Sequence, residues 1–394
     1  MVLPEKLKKI TKEYSPLLMS IRHYLHAHPE LSFKEFETSR YIGEQLSNWN
    51  ISFKKIAGTG IEGIIEGKNP SYKTIALRAD IDALPITEEN NVEYKSQNKG
   101  IMHACGHDVH TTCLLGAAKI LKDLQDEWQG TVKLIFQPGE EKNPGGASLM
   151  IKDGVLENPK PEAIVAMHVH PGLEAGKLSF RKGLIMASAD EIYITIKGKG
   201  GHAAAPHLTA DTILIASQII VSLQQIISRN NNPFTPSVLS ICSINGGNTT
   251  NVIPAEVKLM GTFRTMDENW RYKAHNLIEK QVKNIAEAMG AEAEIKIDVG
   301  YPAVYNNEQI TDETVLLAKE YFGDNNIEET ELRMGAEDFG FYAQQLPACF
   351  FRLGVRNEQE GIVYNVHTAR FNIDENALEY GAGIMAWIGM KLKA

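Results

Sequence analysis

The stretch Met102–His110 reads MHACGHDVH, and it sets one cysteine, three histidines and one aspartate within nine positions. Gly106 loosens the backbone between Cys105 and His107, so a thiolate and an imidazole two residues apart can face one point in space. Those are the side chains that borderline-soft divalent metals prefer. The plainer reading is a polar loop with an incidental thiol, and the surroundings decide between the two. Downstream, Thr111–Leu124 carries Leu114, Leu115, Ala118, Leu121 and Leu124 at helical spacing, which predicts a helix beginning where the metal-type segment ends. Thr131–Gln137 (TVKLIFQ) then reads as a strand running into Pro138-Gly139-Glu140-Glu141, and Ala163–His168 (AIVAMH) as a strand ending at His168-Val169-His170. Upstream, the short buried strand Thr74–Arg78 breaks off at Asp80-Ile81-Asp82. Strands alternating with helices, with reactive residues at their C-terminal ends, predict an α/β fold with an open, largely parallel sheet. In such sheets the ligand crevice lies along that edge.

The rest of the chain fits around this sheet. Residues 4–28 keep helical apolar spacing through Leu7, Ile10, Tyr14, Leu17, Leu18, Ile21 and Leu25, and a second helix covers about Glu35–Trp49. His23, His26 and His28 near the end of the first helix read as dipole-facing residues rather than ligands. Ile51–Ile56 and Gly63–Glu66 look like a hairpin. Near Ser188 the character changes, because Asp190–Lys199 (DEIYITIKGK) alternates as a half-exposed strand does. Helix, strand, strand, helix and strand follow up to Val299, and the order β-α-β-β-α-β is the ferredoxin-like pattern. The chain therefore divides into residues 1–187 and 300–394 as one larger domain in two parts, with 188–299 inserted between them as a small α+β domain. Edge strands in that insert need covering, which predicts a homodimer through it.

Composition narrows the function. A net charge of −9 over 394 residues argues against a nucleic-acid groove or an anionic membrane as partner. No run reads as a transmembrane helix, and the N-terminus lacks the apolar core of a signal peptide. Four scattered cysteines form no disulfide framework, so the expected location is cytoplasmic.

Cys105, His107, one of Glu140 and Glu141, His168 and His367 are the candidate ligands. Five candidates exceed what a mononuclear site uses and suggest two divalent ions, the pairing that hydrolases employ. Consecutive extended residues point to opposite sides, so one of the two glutamates can ligate while its neighbour serves as general base.

Several segments resemble a known family: RADIDALPI (Arg78–Ile86), MHACGHDVH, FQPGEE (Phe136–Glu141), AMHVHP (Ala166–Pro171), GHAAAPH (Gly201–His207), NVIPAE (Asn251–Glu256), GTFR (Gly261–Arg264) and GAEDFGFY (Gly335–Tyr342). Together they resemble the aminoacylase/carboxypeptidase family of dinuclear metallohydrolases, peptidase family M20, in its N-acyl-L-amino acid amidohydrolase or hippurate hydrolase branch. The resemblance implies a zinc-peptidase-like catalytic domain with the insert as dimerisation or lid domain. It also implies two metal ions per subunit (zinc, manganese, cobalt or nickel), with Cys105 as bridging ligand and His107, Glu141, His168 and His367 as the others. By the same resemblance Glu140 is the general base, Asp82 orients a metal-bound group and Asp80 supports it from behind. His202 polarises the scissile carbonyl of a neighbouring subunit, and Asn251 and Arg264 hold the substrate near its carboxylate. One departure stands out, for the last ligand lies in Val366-His367-Thr368-Ala369-Arg370, where the family has a leucine-histidine pair and a nearby proline. The activity implied is hydrolysis of N-acyl-L-amino acids, acetyl or benzoyl among them. The alternative is a dipeptidase, carboxypeptidase or carbamoyl-amide hydrolase on the same two metals.

Overall fold

The strands Thr74–Asp80 and Thr131–Gln137 are buried at every residue, as strands covered on both faces must be. Even Arg78 and Lys133 within them are enclosed, Arg78 bonded to Asp80 and Asp338 and Lys133 to the Val155 and Glu157 carbonyls, so neither face is left to solvent and other elements pack on both. The computed structural model describes residues 3–393 and places these two strands side by side and parallel, with Asp80 opposite Gln137 at their common end. They lie inside an eight-stranded sheet of order 52–56, 60–66, 131–137, 74–80, 163–174, 348–356, 178–180, 327–329. The pairings from Thr131–Gln137 through Ala348–Arg356 are parallel, and the outer hairpin is antiparallel. Helices Ser15–Ala27, His107–Asp123 and Asn376–Lys391 share one core with this sheet, through residues such as Leu18, Leu115, Leu134, Val165 and Trp387.

Three local readings are corrected. The first helix is two, Leu3–Glu13 and Ser15–Ala27, because Pro16 sits in the first turn of the second. The helix expected from Thr111 already begins at His107, so His107 and His110 are helical rather than loop residues. The strand expected to end at His168 runs on to Glu174, and His367 lies in a loop.

A second unit comprises Met186–Ala303 and also takes in Leu332–Glu337. The sequence reading left that last segment in the catalytic domain, yet the Ala187 N–H donates to the Arg333 and Gly335 carbonyls at 3.2 and 3.1 Å. Its sheet has four antiparallel strands in the order 237–245, 256–265, 188–197, 292–299, which is the ferredoxin-like arrangement. Strand Ser188–Lys197 buries Ile192, Ile194 and Ile196 against helices Thr212–Gln225 and Glu268–Ala288. The helical run Thr212–Asn230 is 19 residues long with a mean hydropathy of 1.2, which length and composition alone would let cross a membrane. The sequence reading found no such run. Here its Ile215, Ala216, Ile219 and Leu223 belong to the core of the second unit.

Candidate metal centre

Where the two central parallel strands end, the chain turns sharply and leaves polar side chains at the sheet edge. The Ile81 N–H donates to the Gln137 carbonyl at 3.0 Å, so Asp80 and Asp82 emerge beside the Gly139–Glu141 turn. Helix His107–Asp123 starts at the same edge. Gly106 precedes it with φ +83°, and a Cβ there would press on Val169, so glycine is needed on both counts. His107 and His110 then share one face of the first turn, three residues apart.

Hydrogen bonds fix the imidazoles. His110 holds Asp80 Oδ1 at 2.5 Å through Nδ1, while the Val169 N–H donates to its Nε2 at 2.9 Å. Accepting at Nε2 means that Nδ1 carries the hydrogen given to Asp80. His168 donates from Nδ1 to the Val169 carbonyl at 2.8 Å, leaving the Nε2 lone pair 3.5 Å from Cys105 Sγ. His107 faces Asp82 Oδ1 through Nδ1 at 3.1 Å, and Asp82 Oδ2 also accepts Ser32 Oγ at 2.6 Å and the Glu141 N–H at 3.0 Å. His367 takes the left-handed conformation (φ +62°), anchored by its N–H to the Ala104 carbonyl at 2.7 Å. Its Nε2 lies 3.3 Å from Cys105 Sγ and 3.2 Å from Glu141 Oε1. Non-glycine residues in that region cluster at functional sites.

Two donor sets meet at one atom. Cys105, His107 and His168 bring ligand atoms within 4.8 Å of one another, and so do Cys105, Glu141 and His367. Glu140 joins His107 and Glu141 in a further set. The fit to cations rests on an unmatched atom: His107 Nε2 is buried with no hydrogen-bond partner. It looks instead toward Asp80 Oδ2 at 3.8 Å and toward Glu140 Oε2 and Glu141 Oε1, each at 4.0 Å. An imidazole nitrogen and three carboxylates that converge on one buried space without closing a hydrogen bond are the donor set of a metal and not of a closed hydrogen-bond network.

Electrostatics agree. Burial, with Glu141, Glu140 and Asp80 nearby, holds the Cys105 thiol well above its ordinary range, so it needs a cation to become a thiolate. Burial and the neighbouring His110 and Arg352 keep His168 neutral, far below the usual imidazole range. Burial lowers His107 too, but Asp80 and Asp82 reverse this and carry it to about 10. For Asp82, burial works upward and the bonds from His107 and Ser32 more than offset it, so it remains a carboxylate.

Cys105, His107, Glu140, Glu141, His168, His367, Asp80 and Asp82 are thus brought together in the first unit. His202, Asn251 and Arg264 lie in the second. His202 is exposed on a two-residue strand paired with Val252–Ile253, and the Ala203 N–H reaches the Asn251 carbonyl at 3.0 Å. Arg264 donates one N–H to the Met334 carbonyl at 3.0 Å. Residues that the sequence reading left without a role also contribute. Ser32 braces Asp82 and His110 braces Asp80. Asp338 accepts from Arg78 (2.8 Å), from Gln137 Nε2 (2.8 Å) and from the Ala147 N–H that opens helix Gly146–Lys152 (3.0 Å). For His110 the signal was its place three residues after His107; for Ser32 no local signal existed.

Comparison with known proteins accounts for this edge. The model of peptidase family M20/M25/M40 matches residues 76–389. Thermostable carboxypeptidase 2 of Saccharolobus solfataricus is 41% identical, the match covering 99% of both chains. An N-acyl-L-amino acid amidohydrolase of Geobacillus stearothermophilus is also 41% identical, over 77% of this chain and 82% of its own. Among solved structures, the YxeP protein of Bacillus subtilis, described as a dinuclear metal-binding peptidase from the M20 family, superposes with a TM-score of 0.82. It is 33% identical and covers 97% of this chain and 100% of that one. With its parallel sheet, its ferredoxin-like insert and its buried donor cluster, the chain belongs to peptidase family M20/M25/M40 and is a metal-dependent hydrolase of amide bonds.

Proposed function

We propose that the chain hydrolyses N-acyl-L-amino acids to a carboxylate and a free amino acid, with two divalent cations held by Cys105, His107, Glu141, His168 and His367. The observation that carries this reading is the sharing of Cys105 between two donor sets, with Glu140 beside both. When bound, such a pair supplies Lewis acidity to the scissile carbonyl and makes a nearby water acidic at neutral pH. Glu140 takes the proton from the attacking water and returns it to the nitrogen that departs as the carbon–nitrogen bond breaks. Asp82 holds the His107 tautomer and the Glu141 backbone together, so that both face inward. Arg264 spends one donor on Met334, and its planar fork has further N–H groups for a substrate carboxylate, with Asn251 assisting. His202 donates a hydrogen bond to the oxygen on which negative charge develops, reaching in from a second copy of the chain in a homodimer formed through 188–299. The free thiols of all four cysteines support a cytoplasmic location.

The test is product release from acetyl-, benzoyl- and longer-acyl amino acids beside dipeptides, after reconstitution with zinc, manganese, cobalt or nickel. N-acyl amino acids should be cleaved at least ~10-fold faster in kcat/KM, about 1.4 kcal/mol of selectivity. Faster release from dipeptides and longer peptides than from acyl amino acids would instead support a dipeptidase or carboxypeptidase, the reading favoured by the carboxypeptidase name of the relative at 41% identity. The trans role of His202 is tested by mixing Glu140→Gln chains with His202→Ala chains. Activity that appears only in the mixture supports it, and parents and mixture alike inactive would remove it.

A further inference from the structure

The turn that carries Glu140 is gripped by a segment that none of the roles above involves, Phe33 to Glu35. Glu35 is wholly buried, yet three neutral donors satisfy it. Its Oε1 accepts the Phe33 N–H at 2.8 Å and the Gly139 N–H at 2.9 Å, and its Oε2 accepts the Thr59 hydroxyl at 2.6 Å. Gly139, directly before Glu140, has φ +60°, and a Cβ there would collide with the Phe33 ring. Phe33 itself sits at φ +64°, a conformation that costs an aromatic residue energy and that the surrounding contacts must hold in place. From the other side, the Gly146 N–H donates to the Gly139 carbonyl at 3.1 Å. Gly139, the residue from which Glu140 leaves, is therefore held at its N–H, at its carbonyl and on one face.

We propose that Glu35 is a positioning residue: by reaching the Gly139 N–H it sets the direction in which Glu140 leaves the turn. The proposal rests on the reading of Glu140 as general base. It makes reach, and not charge, the property that matters at position 35.

Two substitutions separate reach from charge. Glu35→Gln keeps the length; its carbonyl oxygen can still take both backbone N–H groups, and its amide can donate to the Thr59 oxygen. Glu35→Asp keeps the charge and withdraws it by one methylene, beyond hydrogen-bond distance of Gly139. Misplacing a catalytic group by an ångström costs roughly 10²-fold. Glu35→Asp should therefore lower kcat by about that factor, with KM changed less than ~3-fold and bound metal unchanged, while Glu35→Gln keeps kcat within ~3-fold. Turnover near wild type in the aspartate variant, equal losses in both variants, or loss of metal along with kcat would each overturn the proposal. Should the aspartate variant not fold, Thr59→Val frees one oxygen of Glu35 and should lower kcat alone, by about 5-fold; an unchanged kcat overturns the proposal as well. Glu140→Gln run in parallel tests the base itself. If that variant keeps its turnover, the reading of Glu140 has failed, whatever position 35 shows.

Discussion

Each of the two units buries a cluster of charge, and the clusters differ in how their hydrogen bonds close. In the second unit Asp190 accepts Arg271 Nη2 (2.5 Å) and the Gly300 N–H (3.0 Å) on one oxygen, and Arg271 Nε (2.9 Å) and His275 Nε2 (2.7 Å) on the other. Arg271 also donates to Glu268 and to the Gly300 carbonyl. Every charge there has its counterpart within the chain. The first unit gathers Asp80, Asp82, Glu140 and Glu141 around His107, whose inward nitrogen has no partner, and adds a thiol that stays protonated. Burial alone therefore does not mark a functional cluster. What marks it is an account left open by an amount that a cation can close.

The largest effect that would test this contrast is on turnover. Glu140→Gln should lower kcat by ~10²–10⁴-fold or more, since proton transfer is lost, while atomic absorption still finds two metal equivalents. Glu141→Gln should lose metal first. The reverse pattern would exchange the roles of these two neighbours.

Stability comes next. Asp190→Ala leaves Arg271 and His275 buried without their carboxylate and should destabilise the second unit by ~3–5 kcal/mol. Trp270 is the one tryptophan between Met186 and Ala303, so its fluorescence reports that unit's unfolding. Chelation should leave the Trp270 transition in place and lower the stability of the first unit, by ~4 kcal/mol for a cation held at a thousand times its Kd. Cys105→Ala should abolish most of that chelator sensitivity. If chelation moved both transitions equally, the two clusters would not differ as described.

The smallest effect is a pH dependence. Burial acts to raise Asp190, and the bonds from His275 and Arg271 outweigh it, so its folded pKa lies below the ordinary value. A depressed carboxylate contributes stability that is present above the unfolded pKa and is lost as pH falls through the folded one. The second unit should therefore weaken only below about pH 4, by at most ~1.4 kcal/mol per unit of pH for this group. The first unit should release its cations at higher pH, because its ligands must be deprotonated to bind. Acid titration followed by metal release and by Trp270 would separate the two events.

Much of the sheet was legible because Thr131–Gln137 and Thr74–Asp80 are built on apolar centres, Leu134–Phe136 and Ile75–Leu77, and end in turn residues, which fixes both strand and edge. Cys105, His107 and the two glutamates stood out because several ligand types crowd a few positions. The parts that escaped depend on distant partners. Ser32 looks like any loop serine until Asp82, fifty residues on, receives its hydroxyl. Glu35 looks like a helix-start carboxylate until Gly139 and Thr59 fold against it. The helix start was misplaced at Thr111 because polar His107, Asp108 and His110 hide the periodicity, although all three are buried, the histidines at the sheet edge and Asp108 against Arg22 and His26. Leu332–Glu337 carries no composition signal for joining the second unit, since backbone hydrogen bonds hold it there and those leave no trace in side-chain pattern.

Strand Ala348–Arg356 inserts between Ala163–Glu174 and Leu178–Phe180, although the whole second unit separates it from both in the chain. During synthesis the ribosome therefore delivers a contiguous ferredoxin-like unit that can close on itself, while the first sheet waits with one edge of Ala163–Glu174 unpaired. At typical elongation rates that wait lasts on the order of ten seconds or more. An open, hydrophobic strand edge is what chaperones and other nascent chains recognise. The meeting of Cys105 and His168 with His367 is thereby deferred until the whole of the second unit has been made.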